Sequence, residues 1–345
     1  MPVDSHLSPD PPRAGSLTAV PGLRVGHASD PKGTTGFTVI LCEAGAVCGL
    51  DLRGGASSLR NPTVALPGHL VEKIHAVFFT GGSAFGLDAA AGVMRYLEER
   101  RVGFPVRGSR VPIVTGAVLF DLAVGDSRRH PDPAMAYRAC RNARPRGVAE
   151  GSVGAGTGAT IGKVLGMTRA MKGGVGTASL SRGALRVGAL AVVNAFGDVR
   201  DPATGSLVAG ARKPGKGFRL AGTEDLLRSG AAREAAPAES TTLGLVATNA
   251  LLDREGACRL AAAAQVALAR CLSPAHTSYD GDLVYALSTG KVAAGRLAVE
   301  ALAVEALSRA ILRGVQLARG LGGIPALREI PACGRRAQKD LICRR

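Results

Sequence analysis

AAPAESTTLGLVATNA, residues 235–250, changes character in its middle. Up to Ser240 it reads as the end of a polar surface linker that begins near residue 201. From Thr241 onward it reads as a buried β-strand. A threonine hydroxyl is a weak nucleophile until something takes its proton, and the residue's own α-amine can do so when the threonine is N-terminal. That arrangement requires a cut. Its sequence form is a linker, then Ser or Thr, then a strand that fixes the new terminus inside the core, and residues 235–250 have this form. A threonine also opens many strands simply for its β propensity. The residues by themselves leave both readings open.

Outward from this stretch, apolar runs alternate with glycine turns. TGFTVILCE (35–43), AVCGLDLRGG (46–55), VPIVTGAVLFDL (111–122) and RVGALAVVNAFGDV (186–199) are expected to contain strands. IHAVFFTGGSAFGLDAAAGVMRYLEER (74–100) predicts a buried strand, a glycine turn and then a helix with Leu87, Ala90, Ala91, Met94 and Leu97 on one face. Two further helices are expected over 254–272 and 294–318, the second Ala-rich and suited to an interface. Alternating strands and helices predict one α/β domain over residues 20–324 with a flexible break near 201–240. Residues 1–19 read as a disordered tail, and 325–345 as a basic tail.

Composition narrows the function classes. Hydrophobic residues make up 46% and charged residues 20%, as in a folded globular protein. Aromatics are only 3%, so glycine and alanine must do much of the packing through close backbone contacts. No apolar run is long enough to span a bilayer, and the N-terminus lacks the apolar stretch of a signal peptide, so a cytoplasmic protein is expected. The seven cysteines are scattered without a C-x-x-C pair, which fits reduced thiols. A net charge of +16 invites a nucleic-acid role, but no compact basic helix or aromatic-interleaved strand accompanies it. Arginine-rich, alanine-rich usage accounts for the charge, and the basic cluster Arg335, Arg336, Lys339, Arg344 and Arg345 is the best place for an anionic contact.

Several familiar motifs fail on spacing. GAGTGA (154–159) lacks the acidic partner of a dinucleotide site, and Gly162-Lys163 is followed by Val164 where a phosphate loop needs Ser or Thr. Ser83 in GGSAFG misses the nucleophile elbow by one residue. The six histidines form no metal-binding pair. His276, in PAHTSYDGD, reads as a hydrogen-bonded turn residue sooner than as a ligand or base.

The blocks GLRVGHASD (22–30), TTGFTVIL (34–41), FTGGSAFGLDAAAGVMRYLEE (79–99), VPIVTGAVLFDL (111–122), EGSVGAGTGATIGK (150–163), KGGVGTAS (172–179), VVNAFGDV (192–199), TTLGLVATNA (241–250) and HTSYDGDLVYALSTG (276–290) occur in one order over residues 20–320. In them the chain resembles the aminopeptidase family of L-aminopeptidase/D-amino-acid esterase-amidases and β-peptidyl aminopeptidases. The resemblance implies a four-layer α-β-β-α sandwich similar to N-terminal-nucleophile hydrolases. It also implies self-cleavage between Ser240 and Thr241 into an α part (1–240) and a β part (241–345) that begins with the nucleophile.

Residue by residue, the resemblance implies Thr241 as nucleophile, Asn194 as oxyanion donor, and Asp280 and Asp282 as the polar pair beyond the nucleophile. Asp282 would hold or polarise the nucleophile and the substrate ammonium. Two carboxylates this close also raise one another's pKa. Gly81, Gly82 and Ser83 would shape the pocket floor. The chain departs from the family in three places. Its nucleophile is Thr where the best-known peptidases use Ser, Ser240 stands where Asn or Gly is usual, and Asp280 replaces a hydroxyl residue. Ser240 and Thr242 are rival nucleophiles. The expected function is an autoprocessed N-terminal-threonine aminopeptidase or amidase, acting on amides or short peptides with a free amino end, without cofactor or metal, as a homo-oligomer. Two rivals are an acyltransferase using the same threonine and an uncut, non-catalytic oligomeric scaffold.

Overall fold

The structure is a computed structural model that describes residues 15–215, 218–232 and 240–330. Among the described residues nine strands form one continuous sheet. In chain order they are β1 (Arg24–Asp30), β2 (Thr35–Leu52), β3 (Leu59–Arg60), β4 (Lys73–Thr80), β5 (Val114–Val118), β6 (Gly174–Arg182), β7 (Leu185–Asn194), β8 (Thr241–Ala250) and β9 (Leu283–Val292). The spatial order is β6-β7-β8-β9-β2-β4-β5-β3, with β1 paired to β2. The β8–β9 and β4–β5 pairs are parallel and the others antiparallel. The helices are α1 (Ala90–Glu98), α2 (Pro133–Asn142), α3 (Thr223–Arg228), α4 (Arg254–Cys271) and α5 (Arg296–Gln316).

Strand β2 turns this sheet into a sandwich. Its register on β4 is interrupted between Leu41 and Ala46. The part before the interruption pairs with β1 and β4, and residues 47–52 pair with β9. The two halves fold face to face. Ile40, Val77 and Phe79 from one half share a core with Leu190, Val192, Leu243, Leu245 and Tyr285 from the other. The outer face of β6–β9 packs on α4 and α5 through Ala189, Val193, Val246, Leu260, Leu307 and Ile311. On the other side Phe37, Val39 and Phe78 meet α1 and α2. Four layers result, α-β-β-α. Alternation along β8 follows from the pleat: Leu243, Leu245 and Ala247 point between the sheets, while Val246 and Ala250 point at the helices.

Small residues set the layer spacing. A Cβ on Gly176 would stand 2.0 Å from the Ala310 carbonyl oxygen of α5, and one on Gly49 would stand 2.3 Å from the backbone of Ala257 in α4. Helix and sheet backbones therefore touch where a large aromatic side chain would otherwise fill the gap. Gly176→Val is expected to push α5 off the sheet and destabilise the fold by about 1–3 kcal/mol, as overpacking does. Urea denaturation beside the unsubstituted chain measures this, and an unchanged midpoint would refute the contact.

Four expectations from sequence are corrected. Residues 201–232 are mostly folded, in contrast to a linker. The strands Asp198–Arg200, Leu207–Ala209 and Leu272–Ser273 form a small sheet beside α3. Buried Asp198 gathers the Ala211 and Thr223 amides at 2.7 and 2.5 Å. Its polar composition misled because most of its polar side chains do face solvent, while its backbone is pinned by the buried Asp198. Residues 216–217 and 233–239 lie outside the described residues. The two strands expected over 35–55 are one, β2, and α1 begins only at Ala90 after a 3-10 turn over Ser83–Ala89. At the boundaries, Leu17 and Ile330 are buried, so packing extends beyond 20–324 at both ends. The rest of both expected tails, with the basic cluster, lies outside the described residues. No helix among the described residues is long and apolar enough to cross a membrane.

Candidate active site

Asn194, the last residue of β7, sits directly opposite Thr241, the first residue of β8. By strand alternation both side chains point between the two sheets. The turn before β9 closes the site, with Ser240 bridged to Asp280. The segments 194–196, 240–242 and 276–282 thus meet at one end of the sandwich interior.

The bond between Ser240 and Thr241 is held in a defined setting. Ser240 is 2% exposed and Thr241 4%. The Thr241 hydroxyl lies 2.5 Å from the Ser240 carbonyl oxygen. That oxygen also accepts the Gly281 amide at 3.0 Å. Glycine is needed here, because a Cβ at 281 would stand 2.7 Å from Thr241 Oγ1. The bond's carbonyl is therefore polarised by a fixed donor with the hydroxyl beside it. The rivals are placed differently. Thr242 alternates to the opposite face of β8 and its buried hydroxyl has no hydrogen-bond partner among the described residues, while Ser240 Oγ accepts from Lys163 Nζ at 3.2 Å.

The two carboxylates act as staples. Asp282, wholly buried, accepts the Thr242 amide at 2.7 Å and the His276 amide at 3.0 Å. Asp280 accepts the Phe196 amide at 3.2 Å and the Thr277 hydroxyl at 2.6 Å. They join the start of β8, the segment after Asn194 and the turn before β9. Burial, and then the charge of Asp282, push the Asp280 carboxyl up to about 6. The His276 Nδ1 lies 3.2 Å from Asp282 Oδ2, in a turn at φ +57°, as a turn residue at the rim.

Asn194 is fully buried, and its amide nitrogen donates to the Phe120 carbonyl at 3.0 Å. Its Oδ1 accepts the Thr160 amide at 2.9 Å. In the continuous chain the Ser240 carbonyl accepts from Gly281, while the Asn194 amide expected as its donor is turned to Phe120.

Two lysines to which sequence assigned no role stand at the site. Lys163, 4% exposed, donates to Asn194 O at 3.0 Å, Asn194 Oδ1 at 3.1 Å and Ser240 Oγ at 3.2 Å. Its ammonium places positive charge one side chain from the Ser240 carbonyl. Lys172, wholly buried, donates to Thr157 O at 2.7 Å. Burial lowers its pKa to about 7, with Asp121 opposing and Lys163 adding to the effect. Asp121 itself is pushed up to about 6 by burial. It accepts the Gly82 amide and the Thr35 hydroxyl, each at 2.7 Å, and so anchors the Gly81-Gly82-Ser83 loop. The available signal was two lysines in glycine-rich runs that otherwise read as buried.

Residues 15–326 match the family model for peptidase family S58. The chain belongs to peptidase family S58. It is 40% identical to an uncharacterized aminopeptidase of Mycobacterium tuberculosis, over 91% of this chain and 97% of that one. It is 32% identical to the 6-aminohexanoate-oligomer endohydrolase of a Kocuria species, over 79% and 74% of the two chains. Its fold is similar to the L-aminopeptidase D-Ala-esterase/amidase of Ochrobactrum anthropi, described as a variant of the N-terminal-nucleophile hydrolase fold. That match has a TM-score of 0.72 at 19% identity and covers 97% of both chains. A Burkholderia β-aminopeptidase matches at a TM-score of 0.65, 23% identity and 95% of both chains. The chain is thus an S58 hydrolase with an N-terminal-nucleophile type of fold.

Proposed function

We propose that this S58 hydrolase cuts itself between Ser240 and Thr241 and then hydrolyses amides or short peptides with a free amino end, using Thr241 as nucleophile. The observation that carries the reading is the Thr241 hydroxyl lying on a Ser240 carbonyl already held by the Gly281 amide. In the first reaction Thr241 Oγ attacks the Ser240 carbonyl carbon. The C–N bond breaks, the nitrogen takes the hydroxyl proton, and an ester joins Ser240 to Thr241 Oγ. Water cleaves that ester, leaving a Ser240 carboxylate and a free Thr241 α-amine. In the second reaction the α-amine accepts the hydroxyl proton as Oγ attacks a substrate carbonyl and donates it to the leaving amine, leaving an ester on Oγ. Water, giving a proton to the same amine, attacks that ester, and the acid departs as the proton returns to Oγ. Gly281 N–H faces the developing oxyanion. Lys163 adds positive charge beside it, and Asp282 holds the strand start through Thr242 N–H. The relatives' names, aminopeptidase and 6-aminohexanoate-oligomer endohydrolase, share amide hydrolysis and support this class.

Release of p-nitroaniline from amino-acid p-nitroanilides, by the wild type and Thr241→Ala side by side, tests the reading; equal rates would sink it. Adding a primary amine as acceptor distinguishes acyl transfer, which would yield the new amide in place of the acid.

Self-cleavage is expected to depend on pH through Asp280. A carboxyl raised to about 6 by burial is protonated below that pH, and it then holds the Phe196 amide and Thr277 more weakly. The first-order rate is expected to fall as pH drops through about 6 and to level off above it. For stability the sign is opposite. The folded state holds this proton more tightly than the unfolded chain, so Asp280's contribution is fully present below its ordinary pKa and is lost as pH rises through about 6. Gel assays from pH 4.5 to 8 check the rate, and a flat profile would remove Asp280 from the mechanism.

A further inference from the structure

His276 reaches Asp282 through both its backbone and its ring. Its amide donates to Asp282 Oδ2 at 3.0 Å, and its Nδ1 lies 3.2 Å from the same oxygen. The other oxygen, Oδ1, accepts the Thr242 amide at 2.7 Å. One wholly buried carboxylate therefore stands between the imidazole and the peptide unit that follows Thr241. Nδ1 is buried, is turned off the line to Oδ2 and has no hydrogen-bond partner among the described residues. A buried ring N–H gains by pairing, and the broad χ2 torsion of histidine lets the ring turn onto Oδ2. The backbone adds a second observation. His276 sits at φ +57°, a left-handed conformation that glycine adopts freely and most side chains do not. A strained position held by a residue with a side chain points to a use for that side chain.

We propose, given Thr241 as the nucleophile of hydrolysis, that His276 is a positioning residue acting through Asp282. The ring N–H fixes Asp282, Asp282 fixes the Thr242 amide, and that amide fixes the nucleophile at the start of β8. Before the cut Thr241 is held from both sides, because Ser240 is bridged to Asp280 and its carbonyl accepts the Gly281 amide at 3.0 Å. The cut breaks the bond that transmits this hold. The new terminus then depends on its pairing with Asn194 and on Asp282. The imidazole therefore matters more to hydrolysis than to self-cleavage.

The experiment compares wild type, His276→Gly and His276→Asn. Glycine relieves the left-handed backbone and removes the ring. Asparagine tolerates the same φ and carries an amide N–H on Cγ, where histidine carries Nδ1. Processed enzyme is assayed on L-alanine p-nitroanilide, and the 241–345 fragment is timed as it appears. His276→Gly is expected to lower kcat by on the order of tenfold, the worth of one hydrogen bond to a charged group, with KM nearly constant. Self-cleavage is expected to slow less, and His276→Asn to recover most of kcat. A glycine variant with wild-type kcat overturns the proposal, and so does an asparagine variant as slow as the glycine one. If the glycine chain fails to fold, His276→Phe, which keeps a ring without its nitrogen, is compared with His276→Asn, and equal kcat overturns it. Loss of the nucleophile assignment reads differently: Thr241→Ala would still hydrolyse the anilide, whatever the His276 variants do.

Discussion

Thr241→Ala is expected to remain a single 345-residue chain and to lose amide hydrolysis by a factor of about 10⁴ or more, as removal of a nucleophile does. The substitution deletes the hydroxyl that lies on the Ser240 carbonyl, and among the described residues no other hydroxyl stands there. Ser240 Oγ is engaged by Lys163, and Thr242 faces away from the sheet interior. Thr241→Ser keeps the hydroxyl and loses only the β-methyl that restricts its rotamer. It is expected to cleave itself and to hydrolyse amides at a reduced rate. A substituted chain that is still cut, at 240/241 or at a neighbouring bond, would show that one of the rivals attacks. Mass spectrometry of the two purified variants and a p-nitroanilide assay read both results.

Lys163→Met is expected to have the second largest effect, slowing self-cleavage and hydrolysis by about 10²–10³, the scale of losing one preorganised charge-stabilising group. Methionine matches the stem of the side chain and removes only the ammonium. Two consequences follow from the hydrogen bonds at 3.0, 3.1 and 3.2 Å. The developing oxyanion loses its neighbouring positive charge, and Asn194 O, Asn194 Oδ1 and Ser240 Oγ lose a donor. A fall in kcat at nearly constant KM for an alanine substrate identifies the electrostatic role. An unchanged kcat with only a lowered unfolding midpoint would reduce Lys163 to a structural residue.

Much of this architecture was legible because the sheet writes itself in period two. The abrupt change at Thr241 marked the start of β8, and the strand ends at Ala250 as its sequence does. The strand over 185–194 and the helices over 254–271 and 296–316 were equally plain from their apolar patterns. Thr241, Asn194, Asp280 and Asp282 were named by resemblance, and the structure brings all four to one end of the sandwich. Sequence did not show how they connect. Gly281 was invisible because its contribution is a backbone amide and a missing Cβ, which no residue type announces. Lys163 was examined only against the phosphate-loop pattern and discarded with it, although a lysine inside a buried glycine-rich run needs acceptors from somewhere. The linker reading of 201–232 failed because composition does not show that the backbone of a solvent-facing polar segment is pinned by a buried Asp198 that lies before it.

The central claim is that the Ser240–Thr241 bond is cut by its own threonine. The intact mass of purified wild-type protein, followed over time at pH 7.5 and compared with Thr241→Ala, tests it most directly. The account expects the full-length mass to give way to a 240-residue and a 105-residue species, the smaller beginning at Thr241, while the alanine variant stays whole. A wild-type chain that remains one full-length species through prolonged incubation, or a smaller fragment beginning at Ser240 or Thr242, would contradict it.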